Sequence, residues 1–169
     1  MSLTNDTPYI PPVLLDYKPP QDPLDIIHLD EHFIVLNKPS GLLSVPGKGE
    51  HLEDCLQSRV KEAYPDTLLI HRLDLDTSGL IVFARNKKAQ GVISQQFEKR
   101  KVSKTYIARV HGLPEADEGL IDLPLCCDWP NRPKQMVCYE NGRPSQTHWR
   151  VIERDEASYS TRVSLNPIT

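Results

Sequence analysis

The chain has 169 residues, 38% hydrophobic and 25% charged, which suits one ordinary globular domain with a real core. A net charge of −3 argues against a protein that coats nucleic acid non-specifically, while leaving room for RNA contact through a local basic patch. No apolar run approaches a membrane span and no basic-then-apolar leader opens the sequence, so a cytoplasmic protein without membrane contact is expected.

Residues 1–23 carry Pro8, Pro11, Pro12, Pro19, Pro20 and Pro23, which excludes helix and predicts an extended surface arm. Residues 24–169 then read as one domain. Asp25 to Leu29 and Phe33 to Leu36 are predicted strands, joined by the polar Asp30-Glu31-His32 turn. Leu42-Leu43-Ser44-Val45-Pro46-Gly47 is read as a loop with apolar anchors. Leu52, Cys55, Leu56 and Val60 fall at helical spacing, and Pro65 ends that helix after Tyr64. Thr67 to Ile70 and Leu80 to Ala84 are apolar runs that read as buried strands. Ala89, Val92, Ile93, Gln96 and Phe97 share one face of a second helix, and Lys99, Arg100 and Lys101 suit its negative C-terminal pole. Val102 to Val110 alternates as a strand, and Thr147 to Ile152 with Tyr159 to Leu165 reads as a closing pair. The predicted class is α+β, with a mixed, mainly antiparallel sheet and flanking helices. Cys55, Cys126, Cys127 and Cys138 lack the spacing of a disulfide framework or a zinc site, so reduced thiols and no metal are expected.

The most informative stretch is His71-Arg72-Leu73-Asp74-Leu75-Asp76-Thr77-Ser78-Gly79, a charged segment held between two apolar strands. A carboxylate near apolar walls must be paired or hydrogen-bonded, which makes such a segment costly to place and marks a site. It is not the His-Arg-Asp loop of protein kinases, because Leu73 separates Arg72 from Asp74 and no Asp-Phe-Gly follows. Nor is it the Asp-Thr-Gly of aspartic proteases, since Ser78 intervenes before Gly79. Ser78 lacks the preceding glycine of a nucleophile elbow. Gly47-Lys48-Gly49 is too weak a glycine loop to support phosphoryl transfer.

The full string His-Arg-Leu-Asp-x-x-Thr-Ser-Gly resembles the signature of RluA-type RNA pseudouridine synthases. Lys104-Thr105-Tyr106 resembles that family's Lys-x-Tyr segment, and Lys38-Pro39-Ser40-Gly41-Leu42-Leu43-Ser44-Val45-Pro46-Gly47 resembles a segment of its catalytic-domain wall. The stretch from Cys127 to Gln135, with Val137-Cys138-Tyr139-Glu140, looks like the branch that modifies both large-subunit rRNA and a tRNA anticodon stem-loop.

The resemblance implies conversion of specific uridines to pseudouridine in structured RNA, with no cofactor and no metal, by a monomer. It makes Asp74 the catalytic carboxylate and puts Asp76 in a variable slot, where the turn-residue reading suits it. Arg72 would contact RNA or fill the space left by the flipped base. Tyr106 would line the uracil pocket, although its alternation with Ala108 and Val110 equally suits a core strand. His71 could assist RNA binding, but a histidine at a strand end is more often a hydrogen-bonded core residue. Trp129 and Arg132, on a proline-stiffened loop, could stack on or grip an RNA loop. Arg85, Lys87, Lys88, Lys99, Arg100, Lys101 and Lys104 could meet phosphates or simply be solvated. After Ser164-Leu165-Asn166-Pro167-Ile168-Thr169 the family pattern continues into a Gly-Arg-Thr/Ser-His-Gln-Leu-Arg-Val-His motif that is not present. The expectation is therefore a C-terminally truncated catalytic domain over 24–169, and the alternative is a non-catalytic RNA-binding protein or an inactive fragment.

Overall fold

A computed structural model describes residues 16–132 and 134–169. The proline-rich arm lies outside the described residues up to position 15, and Pro133 of the expected RNA-gripping loop lies outside them too. Among the described residues every strand pairing is antiparallel and two α-helices, Leu56–Ala63 and Lys87–Glu98, accompany the sheets, so the chain is α+β as expected. It divides into two compact units, Met1–Ser94 and Gln95–Thr169.

In the first unit, β1 (Ile26–Leu29), β2 (Phe33–Lys38), β3 (Leu68–Leu69) and β4 (Gly79–Ala84) form a sheet in the order β1-β2-β4-β3. Period-2 alternation decides its core face. On β2, Ile34, Leu36 and Lys38 are buried, and on β4 Ile81 and Phe83 stand opposite Leu36 and Ile34 in register. Helix α1 (Leu56–Ala63) buries Leu56 and Val60. It begins later than the apolar spacing suggests: Leu52 belongs to a single 3-10 turn, Glu50–Leu52, whose carbonyl accepts the Gly47 N–H at 2.9 Å. Cys55 caps the helix, its sulfur accepting the Ser58 N–H while the Ser58 hydroxyl accepts the Cys55 N–H at 3.0 Å. Helix α2 (Lys87–Glu98) is capped by Asn86, whose Oδ1 accepts the Ala89 N–H at 2.9 Å.

The β1–β2 turn is fixed by one carboxylate. Asp30 Oδ1 accepts the N–H groups of His32 and Phe33, each at 2.7 Å, and Oδ2 lies 2.8 Å from His28 Nε2. The His28 contact and then the two N–H groups lower the Asp30 pKa from 3.8 to about 2. A carboxylate depressed on folding contributes stability that is complete above its unfolded pKa and is lost as pH falls through its folded one. The turn is therefore expected to hold at pH 4 and above and to loosen as pH drops toward about 2. An NMR titration of the Asp30 carboxyl reads this directly: a midpoint at the ordinary 3.8 would show that the turn does not hold it.

In the second unit, β5 (Tyr106–His111), β6 (Glu118–Asp122), β9 (Gln146–Asp155) and β10 (Ser160–Pro167) form a sheet in the order β5-β10-β9-β6. Its buried residues are Ser160, Thr161 and Val163 on β10, and Thr161 Oγ1 donates to the Gly112 carbonyl at 2.8 Å. A separate hairpin pairs β7 (Leu125–Cys127) with β8 (Gln135–Val137). The sequence read this stretch as a loop; its strands are three residues each, too short for alternation to show.

Candidate active site

The site is built on the connection between β3 and β4. The β3–β4 ladder pairs Leu68 with Ala84 and Leu69 with Phe83, and there the backbone pairing ends. His71 extends it with its side chain, Nε2 accepting the Val82 N–H at 3.1 Å. His71 is thus a hydrogen-bonded strand-end residue, and accepting at Nε2 requires that nitrogen to be unprotonated.

Beyond His71 the loop is held by its backbone. The Ser44 hydroxyl donates to the Leu73 carbonyl at 2.6 Å and accepts the Leu73 N–H at 3.1 Å, and the Leu73 side chain is buried. The Leu75 carbonyl accepts the Gly41 N–H at 2.9 Å and Lys38 Nζ at 3.1 Å. Ser40 Oγ donates to the Asp76 carbonyl at 2.8 Å, and the Thr77 N–H closes a turn onto the Asp74 carbonyl at 3.1 Å. Gly41 makes this clamp possible at φ 79°, a conformation side chains resist. Every one of these bonds to residues 73–77 uses main-chain atoms of the loop. The side chains of Arg72, Asp74 and Asp76 are left exposed.

Lys38 is the centre of the clamp and has 0% exposure. Its ammonium donates to the carbonyls of Pro39 (2.9 Å), Leu42 (2.6 Å) and Leu75 (3.1 Å), joining the 38–44 segment to the acidic loop. Burial pushes its pKa below the usual lysine range, while the Asp76 and Asp74 carboxylates act in the opposite direction. Sequence reasoning placed Lys38, Ser40 and Ser44 only within a wall segment and assigned them no role. For Lys38 a signal existed, since it continues the inward alternation of Ile34 and Leu36. For Ser40 and Ser44 there was none.

Among the described residues Arg72 and Asp74 form no ion pair, so the reading of Asp74 as one half of a structural salt bridge has no support in the geometry. A carboxylate held by its backbone and left unpaired is aimed outward without being neutralised.

The other candidates lie in the second unit. Tyr106 opens β5, half-buried, in register with Leu165 of β10. Trp129 and Arg132 stand at the tip of the β7–β8 hairpin, the guanidinium carbon 4.6 Å from the indole centroid. Trp129 is 67% exposed, so this cation–π pair presents a flat aromatic surface with a positive charge to solvent. Among the described residues no group of three or more His, Cys, Asp or Glu side chains could hold a metal, and no helix is long and apolar enough to cross a membrane.

Residues 32–169 match the RNA pseudouridylate synthase family, and the chain belongs to that family. It is 52% identical over 155 residues to the dual-specificity RNA pseudouridine synthase RluA of Escherichia coli strain K12, covering 91% of this chain and 70% of that protein. With the protein of the same name from Vibrio vulnificus it shares 51% identity over 160 residues, covering 92% of this chain and 64% of the relative. Among solved structures, human RNA pseudouridylate synthase domain containing 1 superposes with a TM-score of 0.70 at 26% identity, over 87% of this chain and 60% of that one. Human RNA pseudouridylate synthase domain containing 4 gives a TM-score of 0.65 at 25% identity, over 86% of this chain and 59% of that one. The chain thus spans roughly three fifths to seven tenths of the length of these proteins.

Proposed function

We propose that this chain supplies the catalytic carboxylate of an enzyme that isomerises specific uridines to pseudouridine in structured RNA, and that Asp74 is that carboxylate. The observation that carries the reading is the clamp: Lys38, Ser40, Gly41 and Ser44 bind only main-chain atoms of residues 73–76, leaving the Asp74 side chain exposed and unpaired. The reaction breaks the bond between uracil nitrogen and ribose, turns the base, and rejoins it through carbon. It consumes no electrons and needs no cofactor. Its requirement is an ionised group fixed at one point, which an Asp satisfies at neutral pH without activation.

The remaining assignments follow the same reading. Arg72, exposed beside Asp74, meets RNA or occupies the space of the extruded base. His71 sets the loop's path rather than touching substrate. Tyr106 lines the uracil pocket, and the Trp129–Arg132 pair stacks on an RNA loop. The relatives are named for a dual specificity toward RNA, and the resemblance of the stretch from Cys127 to Gln135 favours large-subunit rRNA and a tRNA anticodon stem-loop as the two substrates. The protein works as a cytoplasmic monomer, with neither metal nor membrane.

Nucleoside analysis tests this. A uridine-containing anticodon stem-loop and a fragment of large-subunit rRNA are incubated with the chain, and with a version extended to its relatives' full length, in the presence of a metal chelator. Pseudouridine is expected in at least one RNA. Folded protein that, at both lengths, binds these RNAs yet forms no pseudouridine would overturn the isomerase reading in favour of a binding module.

A further inference from the structure

The β7–β8 hairpin holds three of the chain's four cysteines, and the proposed isomerisation uses none of them. Its register separates them. Cys126 stands opposite Met136, and strand alternation puts Cys138 on the same face as Met136, two residues further on. Cys127, one residue from Cys126, points to the other face. Cys126 and Cys138 are therefore diagonal neighbours across the hairpin, close enough for each thiol to act on the other. Both are half-buried, with free thiols.

The two sulfurs are not equivalent. Cys138 begins a tight turn in which its carbonyl accepts the Gly142 N–H at 2.9 Å, while its own N–H bonds the Pro124 carbonyl at 2.9 Å. That turn brings the N–H groups of Asn141, Glu140 and Gly142 near the Cys138 sulfur, the last while it donates to the Cys138 carbonyl. These donors, Asn141 first, together with the Cys126 thiol, hold Cys138 below the usual thiol range. Cys126 is pushed the other way, first by burial and then by the neighbouring Cys138 thiol, so it keeps its proton. One sulfur is prepared as a nucleophile and its neighbour is a protonated thiol within reach, which is the arrangement a two-step thiol oxidation needs.

We propose that Cys126 and Cys138 form an oxidation site for a peroxide, closing to a disulfide that fixes the hairpin carrying Trp129 and Arg132. In the first step the Cys138 thiolate attacks one peroxide oxygen. The O–O bond breaks, Cys138 becomes a sulfenic acid, and the departing hydroxide takes a proton to become water. In the second step the Cys126 sulfur attacks the Cys138 sulfur and the S–O bond breaks. The leaving hydroxide takes up the proton that Cys126 gives off. Two electrons pass from the thiol pair to the peroxide, and two waters leave. Diagonal neighbours on a hairpin sit further apart at Cβ than a disulfide allows, so closure draws the strands together and shifts the tip. A dithiol reductant reverses it.

The test uses the unmodified chain and does not depend on isomerase activity. The protein receives one equivalent of hydrogen peroxide, remaining thiols are alkylated, and tryptic peptides are mapped by mass. Cleavage after Lys134 puts the two cysteines on separate peptides. The expected product is a Cys126–Cys138 linked pair, two hydrogens lighter than its parts, with Cys127 and Cys55 alkylated. In Cys126→Ser, Cys138 should be trapped by a sulfenic-acid reagent several-fold faster than Cys127 is in the same molecule. A Cys126–Cys127 bridge, equal oxidation of all four thiols, or no linked pair would each overturn the proposal.

Discussion

Asp74→Asn is expected to lower pseudouridine formation by at least about 10²–10⁴-fold, the range associated with losing one positioned proton-transfer group, and by more if Asp74 attacks the substrate directly. The melting temperature should stay within a degree or so of the parent, because a surface substitution that touches no packing or network seldom moves stability by more than about 0.5 kcal/mol. Both expectations come from the same geometry. The Thr77 N–H bonds the Asp74 carbonyl, Ser44 bonds Leu73, and Lys38 and Gly41 bond Leu75. None of these involves the carboxylate, so an isosteric amide keeps the loop's path and removes only the charge. Asp76→Asn provides the contrast within the same loop. Its carboxylate is equally exposed, and Ser40 holds its carbonyl rather than its side chain. Activity within about threefold of the parent is expected for that variant, since the family resemblance puts Asp76 in a variable slot where a turn residue suffices. Nucleoside analysis of both variants on one stem-loop, with melting curves alongside, decides the matter. Loss of activity in Asp76→Asn with retention in Asp74→Asn would reverse the assignment.

Much of this site was legible in the residues themselves. Two apolar runs flanking a charged nine-residue segment located the loop between β3 and β4, and the order of Arg72, Leu73 and Asp74 separated it from kinase and protease patterns. Alternation and apolar runs placed β1, β2, β4, β5, β9 and β10 to within a few residues. What stayed hidden was the support. Ser44 lies 29 positions before Leu73 and Lys38 lies 37 before Leu75, and no local pattern reveals which polar side chain a distant carbonyl will meet. The β7–β8 hairpin escaped notice for a different reason. Pro130 and its polar neighbours form the tip, Trp129–Asn131, and describe that turn rather than the short strands on either side. Strand β6 was also missed. Glu118, Gly119 and Asp122 are poor strand formers by propensity, and its pairing with β9 overrides that preference, with Gly119 opposite Trp149. A Cβ at Gly119 would come within 2.8 Å of the Trp149 indole nitrogen, so the absence of a side chain there is what lets the ring lie across the strand.

The larger effect on stability is expected at Lys38, a residue whose importance is invisible if only exposed polar groups are considered. Lys38→Met nearly preserves the volume and the alternation with Ile34 and Leu36, so packing alone forecasts little change. The polar accounting forecasts otherwise. The ammonium serves the carbonyls of Pro39, Leu42 and Leu75, and hydrogen bonds from a charged donor contribute about 1.5–3 kcal/mol each. Against this stands the cost of burying the charge, several kcal/mol in order of magnitude, which is also the cause of the lowered pKa. Methionine relieves that cost but cannot donate, so the carbonyls of Pro39 and Leu42 lose the Lys38 donor, whereas Leu75 keeps the Gly41 N–H. The net destabilisation expected is about 2–4 kcal/mol, read as a lower denaturant midpoint with an unchanged slope. Below its melting range the variant should also lose activity, since the link from the core to the Leu75 carbonyl, one residue past Asp74, is gone; a misplacement near 1 Å can cost about 10²-fold. The pH dependence distinguishes this account from one based on volume. Because burial depresses the Lys38 pKa, the parent's penalty for the buried charge is greatest at neutral pH and is relieved as pH rises toward the ordinary lysine value of 10.5. The neutral amine still donates hydrogen bonds. The stability gap between parent and Lys38→Met should therefore widen as pH rises above neutral, within the range where both stay folded. A gap that is absent at neutral pH, or that narrows with rising pH, would mean that the acidic loop is held by something other than this buried lysine.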